Sequence, residues 1–118
     1  MKVTWLTQAG LLFDNGNIRV MVDPYLTDSV GEVDPKKHRR IPADEKYFEV
    51  RPDVIVVTHD HLDHLDPATL EVFLSREDKP ITVLAPEAAY LKLRRYGGVH
   101  NYVLLAPHSV WSEGGITF

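Results

Sequence analysis

The stretch Val54-Ile55-Val56-Val57-Thr58-His59-Asp60-His61-Leu62-Asp63-His64 sets the reading of the whole chain. Its four consecutive β-branched residues predict a strand covered on both faces, of the kind found in parallel sheets. That strand delivers three histidines and two aspartates within the six positions 59–64. In extended backbone, residues two apart project to one side, so His59, His61 and Asp63 are expected to converge as the chain leaves the sheet. A turn then swings His64 round beside them. Neutral imidazole and carboxylate are the ligands expected for zinc, manganese or iron. A helical presentation would pair Asp60 and His61 with His64, but the β-branched run favours strand and helix signals start only at Asp66-Pro67. A polar loop of solvated histidines is the plain alternative.

Working outward, Asp66 and Pro67 supply an N-cap and a first helical position, and Leu70, Phe73 and Leu74 form one apolar stripe ending near Arg76. A buried strand is expected over 81–84, a helix over 87–96 stopped by Gly97-Gly98, a strand over 101–105 and another beginning over 115–118. Upstream, strands are expected over 3–6, 10–13 and 18–22. The last two are joined by Asp14-Asn15-Gly16-Asn17, where Asn-Gly between apolar runs signals a hairpin. Residues 27–53 show no sustained period and read as a long irregular excursion with a short helical turn about 43–48; loops of that length serve a function or are disordered. This order predicts an α/β fold with a mixed sheet and an antiparallel hairpin.

Composition narrows the chemistry. With 118 residues, one core is possible and two are not, so residues 1–118 are expected to form one domain. Thirteen Lys and Arg against 17 Asp and Glu leave a net charge of −4, with no global basic field to draw the chain to nucleic acid or anionic lipid. The absence of cysteine excludes disulfides, thiolate zinc sites and cysteine nucleophiles, so any metal rests on nitrogen and oxygen. No stretch approaches the ~18 apolar residues of a membrane span, and a cytoplasmic location is expected.

The pattern His59-x-His61-x-Asp63-His64, preceded by an apolar strand and Thr58, resembles the HxHxDH metal motif of the metallo-β-lactamase-fold hydrolases. The flanks Trp5-Leu6-Thr7-Gln8-Ala9-Gly10 and Val22-Asp23-Pro24-Tyr25-Leu26 resemble the subgroup of the ascorbate-6-phosphate lactonase. Gln8 departs from that pattern, since many relatives carry a histidine there. The resemblance implies that the chain is the N-terminal half of an αββα sandwich. It further implies a metal-dependent hydrolase acting on an ester, lactone or phosphorylated small molecule. His59 and His61 would then ligate a first metal, Asp63 and His64 a second, with zinc expected and manganese or iron as alternatives. Two such ions ~3.5–4 Å apart would share a hydroxide as nucleophile. Asp23 would hydrogen-bond a ligand imidazole, against the plainer reading of a carboxylate ending a strand before proline.

The family's remaining ligands, another histidine, a bridging acid and a final histidine, find no counterpart here. His108-Ser109 resembles a ligand pair but falls too early and reads as a turn. The chain is therefore expected to hold an incomplete site whose uncovered face invites a second copy of itself. Lys36-Lys37-His38-Arg39-Arg40 reads as a solvated loop face, with an anion contact at the mouth of the site as the sharper reading. His100, after Gly97-Gly98, is expected to face solvent, and Trp5 and Trp111 to be core or sheet-face aromatics. The alternatives to a hydrolase are a nuclease of the same superfamily, which would want a basic groove, and a non-catalytic metal-binding module.

Overall fold

The computed structural model describes all residues, 1–118. Six strands form one mixed sheet in the order β1 (Lys2–Trp5), β2 (Leu11–Asp14), β3 (Arg19–Val22), β4 (Val54–Val56), β5 (Thr82–Ala85) and β6 (Asn101–Leu104). The first three are antiparallel neighbours; β3 to β6 run parallel. The expected α/β mixed sheet with its hairpin is thus present.

The parallel half follows from its connections. Between β4 and β5 runs α2 (Pro67–Leu74), and between β5 and β6 runs α3 (Glu87–Leu93) with a 3-10 turn at Arg94–Tyr96. Asp66 caps α2 by accepting from the Thr69 amide, and its buried carboxylate also accepts from the Thr27 and Ser29 hydroxyls. One side chain thereby starts a helix and ties down the chain leaving β3.

Register sorts the strands into two faces. Met21, Ile55 and Val83 lie side by side and join Leu70, Phe73, Leu74, Ala89 and Leu93 of the helices in the main core. On the opposite face Val20, Val54 and Leu84 form a smaller cluster, covered in part by Trp111, Ile116 and Phe118. Those side chains lie in or flank a separate hairpin, β7 (Ser112–Glu113) and β8 (Ile116–Thr117), rather than a further strand of the main sheet. Gly114 and Gly115, at φ 57° and 86°, make its turn, a left-handed pair that side chains resist. Asn15 and Asn17 clamp it down by donating to the Gly114 carbonyl at 2.9 and 3.2 Å.

Residues 27–53 are more ordered than their composition predicts. They contain α1 (Ser29–Val33) and 3-10 turns at Pro35–Lys37 and Glu45–Glu49, the last close to the expected helical turn. Elements this short show no period. Asp34 and Asp44 start the two 3-10 turns by accepting from the Lys36 and Lys46 amides.

Candidate metal centre

The site forms where β3 and β4 end together. Val22 pairs with Val56, and the Asp23 amide donates to the Val56 carbonyl at 2.8 Å, which brings Asp23 beside Thr58. Side chains at the carboxyl ends of parallel strands face a common crevice, the usual place for ligands in open α/β sheets. Past Thr58 the backbone does not stay extended. The His61 carbonyl accepts from the amides of both His64 and Leu65, a tight turn that folds His64 back. The simple alternation expected for residues 59–63 therefore gives way to a turn, yet the histidines still converge. Ring centroids of His59 lie 4.6 Å from His61 and 3.9 Å from His64.

A hydrogen-bonded relay assigns their tautomers. Asp23, 3% exposed, accepts at Oδ1 from the Thr58 amide (2.7 Å). Its Oδ2 accepts from the Thr58 hydroxyl (2.6 Å) and from His64 Nδ1 (2.8 Å). A carboxylate only accepts, so His64 carries its proton on Nδ1. The single hydroxyl proton of Thr58 points at Asp23, so its oxygen can only accept from His59 Nδ1, 2.9 Å away. Both imidazoles are thereby left with an Nε2 lone pair, the form that binds a metal.

The donor set fits a divalent cation. Asp23, His59 and His64 each bring a ligand atom within 4.8 Å of the other two. Asp23 already has both oxygens engaged by three donors, which favours the orienting role over direct ligation. Asp63 places Oδ2 3.6 Å from His64 Nε2, beyond hydrogen-bond range, so neither group satisfies the other. His61 is exposed, and its imidazole makes no hydrogen bond within the chain.

A family model described as the beta-lactamase superfamily domain matches residues 2–115. The chain belongs to this superfamily. Over 68 residues it is 40% identical to a UPF0173 metal-dependent hydrolase of Archaeoglobus fulgidus, covering 58% of this chain and 24% of that protein. It is 33% identical over 84 residues to the mitochondrial N-acyl-phosphatidylethanolamine-hydrolyzing phospholipase D of Saccharomyces cerevisiae, covering 69% of this chain and 17% of that one. Among solved structures, the isothiocyanate hydrolase from Delia radicum gut bacteria superposes with a TM-score of 0.65 at 23% identity, over 89% of this chain and 42% of that one. That likeness is one of fold. The chain spans less than half the length of each of these three proteins.

Around the centre of this beta-lactamase superfamily chain, the other motif residues have plain structural duties. Asp60 turns outward to Lys92 at 2.8 Å, and that hydrogen bond holds its carboxyl below the usual aspartate value. His108 sits exposed in a turn at φ 65°. His100 corrects expectation: only 8% exposed, it accepts from the Ile81 amide at Nδ1 (3.1 Å) and donates from Nε2 to the Leu74 carbonyl (2.9 Å). The Gly-Gly turn before it signalled solvent, but its partners lie 19 and 26 residues away and could not be read locally. Trp111 packs on the sheet as expected. Trp5 does not enter the core; its indole is largely exposed and lines a cavity with Gln8 and Asp63. Thr58 is the functional residue whose role sequence reasoning missed, although its place directly before His59 was in plain view. No helix is long and apolar enough to cross a membrane.

Proposed function

We propose that this chain carries the metal-binding segment of a metal-dependent hydrolase acting on an ester, lactone or phosphorylated small molecule, similar to the ascorbate-6-phosphate lactonase group. The observation that carries the reading is the relay through Thr58 and Asp23, which leaves His59 and His64 with Nε2 lone pairs facing the same crevice. Two divalent ions, zinc by preference and manganese or iron as alternatives, would be held by His59 and His61 on one side and Asp63 and His64 on the other. Bound there, they would lower the pKa of a water to ~7 and polarise the substrate's carbonyl or phosphoryl oxygen.

The remaining work belongs to the protein. Asp23 orients His64 and, through Thr58, His59. Asp63, which lines the cavity, would accept a hydrogen bond from the attacking water. Trp5 and Gln8 bound the space in which a small substrate would lie. With two protein ligands per ion, this segment alone binds more weakly than a complete site of three or four.

Metal analysis of the chain purified without chelator tests the reading. Stoichiometric zinc, manganese or iron that disappears in the His59→Ala, His61→Ala double variant is the expected result. A wild-type chain that takes up none of the three, even in excess, would overturn it.

A further inference from the structure

The backbone beside the metal cluster is held in conformations that ordinary residues avoid. Thr7, Gln8 and Asp23 adopt φ 74°, 52° and 44°, three of the four non-glycine residues in the left-handed region. Asp23 departs furthest, because Pro24 follows it and a residue before proline favours φ of about −120°. Such conformations persist only where surrounding contacts over-determine them, and they gather at functional sites. Here they set the carboxylate that meets Thr58 and His64, and the turn whose Gln8 carbonyl accepts from the Trp5 indole at 3.0 Å.

One side chain ties the two strained segments together. The half-buried Arg39 guanidinium donates from Nη2 to the Thr7 hydroxyl and from Nη1 to the carbonyls of Tyr25 and Thr27, and lies 4.6 Å over the buried Tyr25 ring. Its Nε donates to the Ile41 carbonyl at 3.1 Å, so every hydrogen-bond partner of the guanidinium is a neutral oxygen and its task is to hold chain rather than balance charge. From the other side, the Thr7 carbonyl accepts from the Gly10 amide at 3.0 Å, and a Cβ on Gly10 would meet the Asp23 carbonyl oxygen at 3.2 Å. The segments at Thr7 and Asp23 are thus packed together, and Arg39 closes the bracket. Arg39 is itself fixed, since Asp28 accepts from its amide at 2.9 Å and from His38 Nδ1 at 2.6 Å.

Resting on the hydrolase reading above, we infer that Arg39 is a positioning residue for the metal centre: by joining Thr7 to the chain just past Asp23, it holds the Asp23 carboxylate where it dictates the His64 tautomer. Asp23 Oδ2 meets His64 Nδ1 at 2.8 Å, and a hydrogen bond weakens steeply once its geometry is lost. Without Arg39, residues 23–25 relax toward the extended backbone that Pro24 favours and the carboxylate leaves His64. The imidazole then divides between its two neutral forms, of which only the one protonated at Nδ1 offers Nε2 to a metal. The fork matters as much as the charge. A planar guanidinium reaches the Thr7 hydroxyl and the Tyr25 and Thr27 carbonyls at once, whereas a lysine ammonium is a point charge on a flexible stem.

Long-range proton–nitrogen-15 correlation on the metal-free chain, at about pH 8 where imidazoles are neutral, reads the tautomers directly. His64 should be locked in the Nδ1–H form in wild type and should average between both forms in Arg39→Lys and Arg39→Met. Arg39→Lys keeps the stem and the charge and carries the test if Arg39→Met does not fold. Arg76→Met is the matched control: Arg76 also donates to two carbonyls, those of Phe48 and Val50, and lies 5.2 Å over the Phe73 ring, so its loss weakens the fold away from the site. It should leave the His64 tautomer as in wild type. Zinc affinity, measured by competition with a chelator, should fall about tenfold or more in Arg39→Lys and hold in Arg76→Met. In an Asp23→Asn background, Arg39→Lys should cost no more than about twofold further, because the path it acts through is already broken. A locked tautomer in Arg39→Lys, additive losses in the double variant, or an equal loss in Arg76→Met would overturn the inference. A chain that takes up no metal, yet loses the single His64 tautomer in Arg39→Lys, sinks the hydrolase reading and supports the positioning role.

Discussion

Asp23 Oδ2 accepts a 2.8 Å hydrogen bond from His64 Nδ1, so a buried carboxylate at the end of one strand dictates which nitrogen of a histidine 41 residues later is free. Asp23 adopts φ 44°, a conformation asparagine tolerates as well as aspartate does, so Asp23→Asn should keep the backbone. Its amide cannot accept from the Thr58 amide, the Thr58 hydroxyl and His64 together. Metal affinity should drop about 10–100-fold with the fold intact, as measured by competition with a chromophoric chelator. Unchanged affinity would mean that Asp23 merely ends a strand.

Thr58 passes the influence of Asp23 on to His59 through one hydroxyl. Thr58→Val keeps the shape and removes the relay, whereas Thr58→Ser keeps both. Affinity should fall in the valine variant and recover in the serine variant, and the valine variant should lose about 1 kcal/mol of stability. Equal affinity in all three would break the proposed link to His59.

His100 is a structural crosslink between α2 and the start of β5, remote from the metal cluster in its bonding. In His100→Ala, the Ile81 amide and the Leu74 carbonyl lose their partner in a buried place, which should cost about 2–4 kcal/mol. Urea unfolding reads that loss. Metal content at low denaturant should match wild type, separating a stability defect from a site defect.

Gly31 and Asp28 hold the basic run against the body of the protein. Gly31→Ala would drive a methyl group into His38 and Asp28, so trypsin should cut after Lys36, Lys37, Arg39 or Arg40 markedly faster than in wild type. Acid should loosen the same anchor. The His38 hydrogen bond first, and the Arg39 amide second, hold the Asp28 carboxyl below its ordinary 3.8. The anchor is therefore complete above that value and is lost only as pH falls through the lower folded one. The Arg39 amide resonance should begin its acid shift below pH 3.8, and a midpoint above that value would contradict the assignment.

Tyr102 donates to the Gly97 carbonyl at 2.9 Å, and burial, aided by Tyr96, pushes its phenol up to about 12. The unfolded chain ionises near 10.0, so the stabilising effect is whole below pH 10 and disappears as pH rises toward 12. Phenolate absorbance should show late titration from Tyr102 and from Tyr96, both raised by burial, and the component near 12 should be missing in Tyr102→Phe. A wild-type curve with no late tyrosine would remove Tyr102 from this role.

Much of the fold could be read locally because its causes are local. The β-branched run 54–57 has no comfortable place except a covered strand, Asn15-Gly16 tolerates a hairpin turn, and Asp66-Pro67 starts a helix because the Asp66 carboxylate accepts from the Thr69 amide only three residues on. The boundaries slipped by a residue or so where a strand depends on its neighbours, as at β5, which begins at Thr82 and runs through Ala85. Residues 27–53 resisted reading because nothing within them sets their shape. Their order comes from Arg39 reaching Thr7 and Tyr25, and from Thr27 and Ser29 reaching Asp66.

The same division holds at the site. By itself the sequence determined which atoms are available for chemistry: imidazoles and carboxylates packed at the end of a strand, with no thiolate to compete. Only the tertiary structure decided what those atoms can do, because tautomer and field depend on groups far apart in sequence. Asp23 reaches His64 across 41 positions, and the basic run meets Asp63 only when Arg39 is pinned to β-strand ends on the other side of the crevice. Hydrogen bonds and electrostatic fields act over a few ångströms of space, and it is folding that turns distant positions into neighbours at that range.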